Sequence, residues 1–99
     1  MKLESAPYDT VEFLRDDAVI AAYLEEAFAT GDAAFIVKAL GRVARARSMT
    51  DLARKTGMSR TSLYKALQEE SRPEFGTILK VAQALGLELT VKPHLPDAA

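Results

Sequence analysis

The hydrophobic positions of this 99-residue chain recur every three or four residues over most of its length, and this spacing is typical of amphipathic helices. The first clear stripe lies between Asp17, which can cap a helix N-terminus, and Gly31, which can end a helix. A second stripe follows Asp32, the next capping candidate, and runs to Ser48. The predicted apolar faces are Ile20, Tyr23, Leu24, Ala27 and Phe28 in the first helix, and Phe35, Ile36, Ala39, Leu40 and Val43 in the second.

A pair of short helices is predicted next. Thr50 can cap a helix over residues 51–56, and Gly57 can end it because glycine adopts left-handed backbone conformations without strain. Ser59 can cap a second short helix over residues 60–68. Glycine costs about 1 kcal/mol relative to alanine inside a helix, so one continuous helix would be destabilised at this point. The pattern therefore indicates two helices and a tight turn.

The C-terminal third contains one more helix and a short alternating segment. The helix is predicted over residues 76–85 and ends at Gly86, whereas residues 87–91 alternate apolar and polar side chains in the manner of a β-strand. A lone strand cannot satisfy its backbone hydrogen bonds, so this one either pairs with another chain or is irregular. The inward residues of the helix are predicted to be Ile78, Leu79, Ala82 and Leu85, and the dimerisation residues of the strand Leu87, Leu89 and Val91.

These elements predict an all-α fold with an extra N-terminal helix and a short C-terminal β-strand. The length of the chain fits a single core. We divide it into an N-terminal segment with an accessory helix (1–31), a helical domain with the terminal strand (32–91) and a flexible tail (92–99). Within the first segment, residues 8–14 predict a turn and a short helix, which Asp9 or Thr10 can cap.

The amino-acid composition limits where the protein can act and which kinds of site it can contain. The chain has no cysteine, which excludes a disulfide framework and a thiolate metal site. We expect a cytoplasmic protein without membrane contact, because its apolar runs are too short to span a membrane and its N-terminus lacks the apolar core of a secretory signal. Glu25 and Glu26 point in different directions on a helix, and the only histidine, His94, lies in the tail. We expect no catalytic residues, no metal and no cofactor.

Charge is strongly segregated along the chain, although the formal net charge is only −1. Residues 1–37 carry two basic and eight acidic side chains, residues 38–65 carry eight basic and one acidic, and residues 66–99 carry three basic and five acidic. Binding to a polyanion depends on the local field rather than on total charge. The basic middle third is therefore a candidate nucleic-acid surface. The alternative is a solvated basic face that acidic neighbours balance.

The short helices of this basic region fit a helix-turn-helix, in which the second helix enters the major groove of DNA. The first helix needs a small residue where the second crosses it, and Ala53 occupies that position four residues before Gly57. Apolar anchors are needed beside the turn and on the inner face of the second helix. The predicted anchors are Leu52, Met58, Leu63, Ala66 and Leu67.

The polar residues on the outer face of the second helix can all hydrogen-bond to DNA. Arginine pairs with guanine, glutamine with adenine, and threonine or tyrosine can contact phosphates or a thymine methyl group. Structural roles compete at two positions, because Tyr64 can pack on a neighbouring helix and Arg47 can compensate a helix dipole. The predicted base-reading residues are Arg60, Thr61, Tyr64, Lys65 and Gln68, and the predicted phosphate contacts are Arg47, Thr50, Lys55, Ser59, Arg72 and Thr77.

One helix before the pair and one after it resemble the compact domain of the Cro and lambda-repressor (XRE) family over residues 35–86. In that family the outward positions near the start of the second helix usually read bases. The following loop departs from the family pattern, because it places acidic residues near the expected DNA backbone, and that flank is expected to stand off the DNA. The positions that match the family's base readers are Arg60, Thr61, Tyr64 and Lys65, and the acidic loop residues are Glu69, Glu70 and Glu74.

A longer resemblance covers nearly the whole chain. Residues 59–67 and 78–91 look most like the probable addiction-module antidote proteins, the HigA-like antitoxins of type II toxin-antitoxin systems. This resemblance implies a small basic RelE/ParE-like toxin as partner and repression of the shared operon. If the predicted terminal strand pairs with that of a second copy, the protein is a homodimer and its DNA operator is palindromic. A stand-alone or phage-type repressor without a toxin is the alternative, and a helical interaction module without DNA binding is a third possibility.

The N-terminal segment is the candidate toxin surface. A minimal DNA-binding domain does not need residues 1–31, and their seven acidic and two basic side chains would repel DNA. Acidic residues there could complement a basic toxin, while apolar side chains serve as anchors. The alternative is that the helix in this segment completes the core. The predicted toxin-binding residues are Tyr8, Asp9, Glu12, Phe13, Leu14 and Asp16.

Overall fold

The computed structural model describes residues 16–94, and within this range every regular element is a helix. The all-α prediction is therefore confirmed for the described part of the chain. The turn and helix predicted over residues 8–14 lie outside the described residues. The helices are α1 (Asp17–Ala29), α2 (Ala33–Arg47), α3 (Met49–Thr56), α4 (Arg60–Ala66) and α5 (Phe75–Ala84).

The predicted C-terminal strand is wrong. Residues 87–94 form neither strand nor helix. The described part of the chain offers no neighbouring strand that could supply ladder hydrogen bonds, and an extended segment alone cannot satisfy its backbone. Instead, the N–H of Leu87 donates to the carbonyl of Ala82 at 3.0 Å, and the Leu87 side chain packs against the hydrophobic core. The segment thus ends α5 rather than starting a sheet.

The first two helices begin at aspartate caps. Asp16, not Asp17, caps α1: its carboxylate accepts hydrogen bonds from the N–H groups of Ala18 at 2.8 Å and Val19 at 3.3 Å. Asp32 caps α2 as predicted, and its carboxylate accepts from two N–H groups of the first turn at 3.1 and 3.2 Å. These bonds satisfy donors that have no partner within the helix. Adjacent aspartates made the α1 cap ambiguous by one residue.

Helix α3 begins earlier than the sequence predicts. Ser48, not Thr50, is its N-cap, and the Ser48 hydroxyl accepts a hydrogen bond from the Asp51 N–H at 3.0 Å. Ser48 is also the C-cap of α2, because its own N–H donates to the carbonyl of Ala44 at 3.1 Å. One residue therefore ends α2 and starts α3, with no linker between the two helices.

The hydrophobic core lies between α1, α2 and the pair α3 and α5. Helix α1 packs on α2, and α3 contacts α2, α4 and α5. The predicted stripes are largely confirmed, but Phe35 is 44% exposed and Leu79 is only half-buried. Core residues that the stripes did not include are Val37, Ala44, Ala46, Met49 and Val81.

A glycine on α2 allows close packing against the end of α4. Gly41 is buried, and a Cβ atom built on it would lie 2.8 Å from the carbonyl oxygen of Leu67. Any larger residue would have to move a backbone carbonyl rather than a flexible side chain. Gly41 therefore sets how closely α2 can approach the C-terminus of α4.

Candidate nucleic-acid interface

A left-handed glycine turn connects α3 to α4. Gly57 has φ 77° and ψ 10°, a conformation that residues with a Cβ rarely adopt, and its N–H donates to the carbonyl of Ala53 at 3.0 Å. Thr56 braces the same turn, because its hydroxyl donates to the carbonyl of Leu52 at 2.7 Å and accepts from the N–H of Met58 at 3.2 Å. Gly57 was predicted from the sequence. Thr56 was not, although a threonine directly before a glycine stop is a recognisable signal.

Helix α4 is anchored by its inner face. Leu63 is fully buried, and Leu67 is 2% exposed. Ala53 and Met58 are partly buried and pack against the same core. At its start, Ser59 caps the helix, with its hydroxyl accepting from the N–H of Ser62 at 3.0 Å. The apolar contacts and the cap together fix the orientation of this seven-residue helix.

The outer face of α4 carries polar side chains in contact with solvent. Residues three or four positions apart along a helix share a face. The guanidinium carbon of Arg60 lies 5.9 Å from the centroid of the Tyr64 ring, within the range of a cation–π interaction. The Tyr64 ring thus lies against Arg60 on the same helix. All five residues predicted to read bases are exposed: Arg60, Thr61, Tyr64, Lys65 and Gln68. Gln68 lies just beyond the helix, because α4 ends at Ala66 and not at Gln68 as predicted.

The residues predicted to contact phosphates are divided between two places. Arg72 lines a shallow cleft together with Lys65 and Ser62, beside α4. The loop that carries Arg72 is fastened to α4, because the Ser71 hydroxyl donates to the carbonyl of Ala66. Glu69 in the same loop pairs with Lys38 at 3.3 Å. One cation of the predicted phosphate set therefore lies next to the outer face of α4.

Two other cations of that set already have acidic partners. Arg47 Nη1 lies 2.6 Å from a carboxylate oxygen of Asp17, and Lys55 Nζ lies 3.2 Å from a carboxylate oxygen of Asp51. Both cations line a second, polar cleft, which includes Lys80. Their charge is thus partly neutralised within the protein.

The hydroxyl residues of the phosphate set differ in their surroundings. Thr50 is exposed in the first turn of α3, and Thr77 is half-buried in the first turn of α5. The Ser59 hydroxyl is used to cap α4. Thr50 is not the N-cap of α3 that the sequence predicted, because Ser48 holds that position, and Glu74 is the N-cap of α5.

A groove bordered by α1 and the segment after α5 is a separate concave surface. It has a volume of about 440 Å³ and is lined mainly by apolar side chains. Leu24 is buried at its floor, whereas Leu89 is half-buried. We call it the α1 groove. Its lining residues include Leu24, Glu25, Phe28, Leu87, Glu88, Leu89 and Lys92.

Most of the predicted toxin-binding residues lie outside the described residues. These are Tyr8, Asp9, Glu12, Phe13 and Leu14. Asp16 is exposed and caps α1. Of the predicted dimerisation residues, Leu87 and Leu89 are half-buried and Val91 is 98% exposed.

Residues 16–94 contain no group of three or more side chains suited to hold a metal ion. Over the same residues, no helix combines the length and the apolar character that crossing a membrane requires.

The fold and the site define a class of small all-helical proteins in which a left-handed glycine turn presents an exposed hydrogen-bonding helix. The particular family follows from the whole sequence. The chain belongs to the family described as "Probable addiction module antidote protein", whose sequence model matches residues 4–93. It is also similar to a Haemophilus influenzae protein described as "Uncharacterized protein", with 41% identity over 85 residues that cover 86% of this chain and 88% of that one. No solved structure matches.

Proposed function

We propose that this antidote is also a DNA-binding protein of the Cro and lambda-repressor kind, and that α4 reads base edges in the major groove. The observation that carries the proposal is the outer face of α4. Arg60 and Tyr64 share an exposed stripe of α4, while Leu63 on the opposite face and Leu67 at the C-cap are buried in the core. Gln68 is exposed directly after the helix. A helix must have this division to be fixed by its own domain and still contact DNA.

Each outer residue has chemistry suited to a base edge. Arg60 can donate two hydrogen bonds to guanine, and Gln68 can pair with adenine. The Tyr64 ring stacks with Arg60, which restricts the guanidinium before DNA arrives. Thr61 can contact a phosphate or a thymine methyl group. The face therefore has the groups for both specificity and affinity.

The phosphate backbone is proposed to contact Lys65 and Arg72. Both cations line the shallow cleft beside α4, and neither forms an ion pair within the described residues. Arg47 and Lys55 are weaker candidates, because each would first have to leave a carboxylate. We therefore expect the flank of α4 nearest Arg72 to follow the DNA backbone most closely.

The antidote family implies a toxin as partner. We propose that this toxin is a small basic protein of the RelE/ParE kind and that the antidote neutralises it and represses their shared operon. The charge distribution supports a basic partner, since α1 contains acidic side chains and no basic one. Family membership favours this function over a stand-alone repressor without a toxin.

A homodimer on a palindromic operator belongs to the same proposal. Helix-turn-helix proteins commonly bind two half-sites one DNA turn apart, about 34 Å, and then require two copies of the reading helix. The surface that joins the copies is not a strand over residues 87–91, because those residues are irregular.

The test measures, by fluorescence anisotropy, how tightly the purified protein binds the DNA upstream of its own gene. A duplex of scrambled sequence is measured for comparison. Arg60→Ala should weaken specific binding about 10- to 100-fold, since a bidentate base contact contributes about 1–3 kcal/mol of discrimination. Arg42→Ala is the matched control, because Arg42 is an exposed arginine of α2 whose guanidinium contacts the Tyr23 hydroxyl of α1 at 3.4 Å. Equal affinity for both duplexes, or equal loss in both variants, would contradict the proposal.

A further inference from the structure

We infer that the α1 groove is the surface that holds the toxin, and that its occupant is a toxin segment with apolar side chains flanked by basic ones. This inference rests on the proposed function, in which a basic toxin is the partner. It places the neutralising surface on described residues of α1 and of the chain after α5. It also makes that surface distinct from α4, since no α4 residue lines the groove.

The floor of the groove accounts for the apolar part of the occupant. Leu24 is buried, and Phe28 and Leu87 are partly buried against the core, so their remaining surface faces the groove. Leu89 is half-buried but does not belong to the set of side chains packed on the core. Among residues 16–94 the Leu89 side chain is therefore not part of the core, and it is placed to contact a partner. Half-exposed apolar side chains around a concave floor are typical of a pocket for an interface anchor.

The rim of the groove accounts for the basic part. Glu25 and Glu88 stand on opposite walls, one on α1 and the other on the segment after α5, and both are exposed. Within residues 16–94 neither of them pairs with a cation. Lys92 is the one basic residue of the lining, so the lining carries more negative than positive charge. An occupant with basic side chains on both edges would complement both walls.

The helix itself gives a reason to assign these acids to a partner. The last turn of α1 contains Glu26 and no basic residue. A negative charge near a helix C-terminus is unfavourable, because the helix dipole places negative partial charge there. Glu25 and Glu26 therefore do not stabilise α1 through its dipole. Glu25, which lines the groove, can instead interact with a basic side chain of the occupant.

The wall after α5 also offers backbone groups to a polypeptide. Residues 88–92 make no backbone-to-backbone hydrogen bond within the described part of the chain. Their N–H and carbonyl groups are available to peptide groups of an occupant, and peptide recognition often uses such groups for affinity. This favours a protein segment over an apolar small molecule.

The experiment measures binding of the small protein encoded by the reading frame next to this chain's own, by calorimetry at two salt concentrations. The double variant Glu25→Lys with Glu88→Lys should weaken binding at least tenfold, with the larger loss at low salt. Leu89→Asp should weaken it to a similar extent at both salt concentrations. Glu70→Lys is the matched control, since Glu70 is an exposed acid outside the groove, and it should stay within twofold of wild type. Circular dichroism checks that each variant is folded.

Binding to operator DNA separates this inference from the proposed function. All groove variants should bind the operator as wild type does, because α4 does not line the groove. If wild type binds the neighbouring gene product and the groove variants bind it equally well, the groove is not the toxin surface and the proposed function stands. If wild type does not bind that product, the proposed partner fails and this inference fails with it.

Two other results would also overturn the inference. If Leu89→Asp converts a dimer into a monomer in light scattering, the groove holds a second copy of the chain. If removal of residues 1–15 abolishes toxin binding while the groove variants retain it, the neutralising surface is the N-terminal segment.

Discussion

The guanidinium group of Arg60 lies over the ring of Tyr64, one helical turn away, with its central carbon 5.9 Å from the ring centroid. Both side chains are exposed on α4. At an exposed site this interaction contributes about 0.5–1 kcal/mol, which is enough to bias the arginine toward one orientation. The pair therefore links an aromatic residue to the positioning of a proposed base contact.

This arrangement predicts that Tyr64 acts partly through Arg60. Tyr64→Leu should weaken operator binding about two- to fivefold, because the cation–π interaction contributes about 0.5–1 kcal/mol. Tyr64→Phe keeps the ring and should have a smaller effect. In the background of Arg60→Ala the loss caused by Tyr64→Leu should shrink, since its partner is absent. Additive losses in a double-mutant cycle measured by anisotropy would show that Tyr64 acts independently of Arg60.

We expect the cations that have an acidic partner and those that have none within residues 16–94 to contribute differently to the salt dependence of DNA binding. Lys65→Ala and Arg72→Ala should each reduce the slope of log affinity against log salt by about one, because each phosphate contact releases about one counterion. Lys55→Ala should reduce it less, since Lys55 already pairs with Asp51 at 3.2 Å. Affinity is measured at four or more salt concentrations. Equal slopes for all three variants would mean that the pairing with Asp51 is broken on DNA.

The turn predicts a conformational requirement at Gly57. Gly57→Ala should lower the free energy of unfolding by about 1–2 kcal/mol, because a Cβ destabilises the left-handed backbone at φ 77°. Gly57→Asn should cost less, because asparagine adopts this region more readily. No atom would contact an added Cβ within 4 Å, so crowding does not contribute. Urea unfolding checks this order, and equal losses for alanine and asparagine would contradict it.

Gly41 is required for a different reason, which is lack of space for a side chain rather than backbone conformation. Gly41→Ala should lower the free energy of unfolding by about 1–3 kcal/mol through overpacking, since its Cβ would lie 2.8 Å from the Leu67 carbonyl oxygen. This loss must exceed the roughly 1 kcal/mol that alanine gains over glycine inside a helix. Gly76→Ala in α5 is the matched control, because it meets open space, and it should be neutral or stabilising. If Gly41→Ala also stabilises the protein, the approach of α2 to α4 is not tight in solution.

Helix periodicity made most of the fold predictable, and local cap chemistry explains the errors. Ile20 and Leu24 recur at helical spacing and are buried. Phe35 shares that spacing in α2, yet it lies in the first turn, where no helix of residues 16–94 buries it, and is 44% exposed. Thr50 and Ser48 are both good capping residues, so only the observed hydrogen bond of Ser48 decides between them. Sequence pattern gives the face of a helix more reliably than its first residue.

The candidate DNA face was predictable because α4 is short and its inner residues are apolar. The sequence could not predict which of the proposed phosphate contacts are already paired within the protein, because ion pairs such as Arg47 with Asp17 join residues thirty positions apart. The α1 groove was likewise hidden, since its walls come from α1 and from residues 87–92. The strand predicted over those residues failed for a related reason. Alternation describes which side chains share a face, but a strand also needs a neighbour.

The double function of Ser48, which ends α2 and starts α3, has a consequence for recognition by α4. A junction without a linker restricts how far α3 can swing relative to α2, and the Gly57 turn connects α3 to α4 with a similarly short link. Conformational entropy that a hinged helix would lose on meeting its target is here lost when the chain folds. We therefore expect α4 to be preorganised, so that its affinity for the proposed DNA target depends more on the match between side chains and bases than on the cost of ordering the helix.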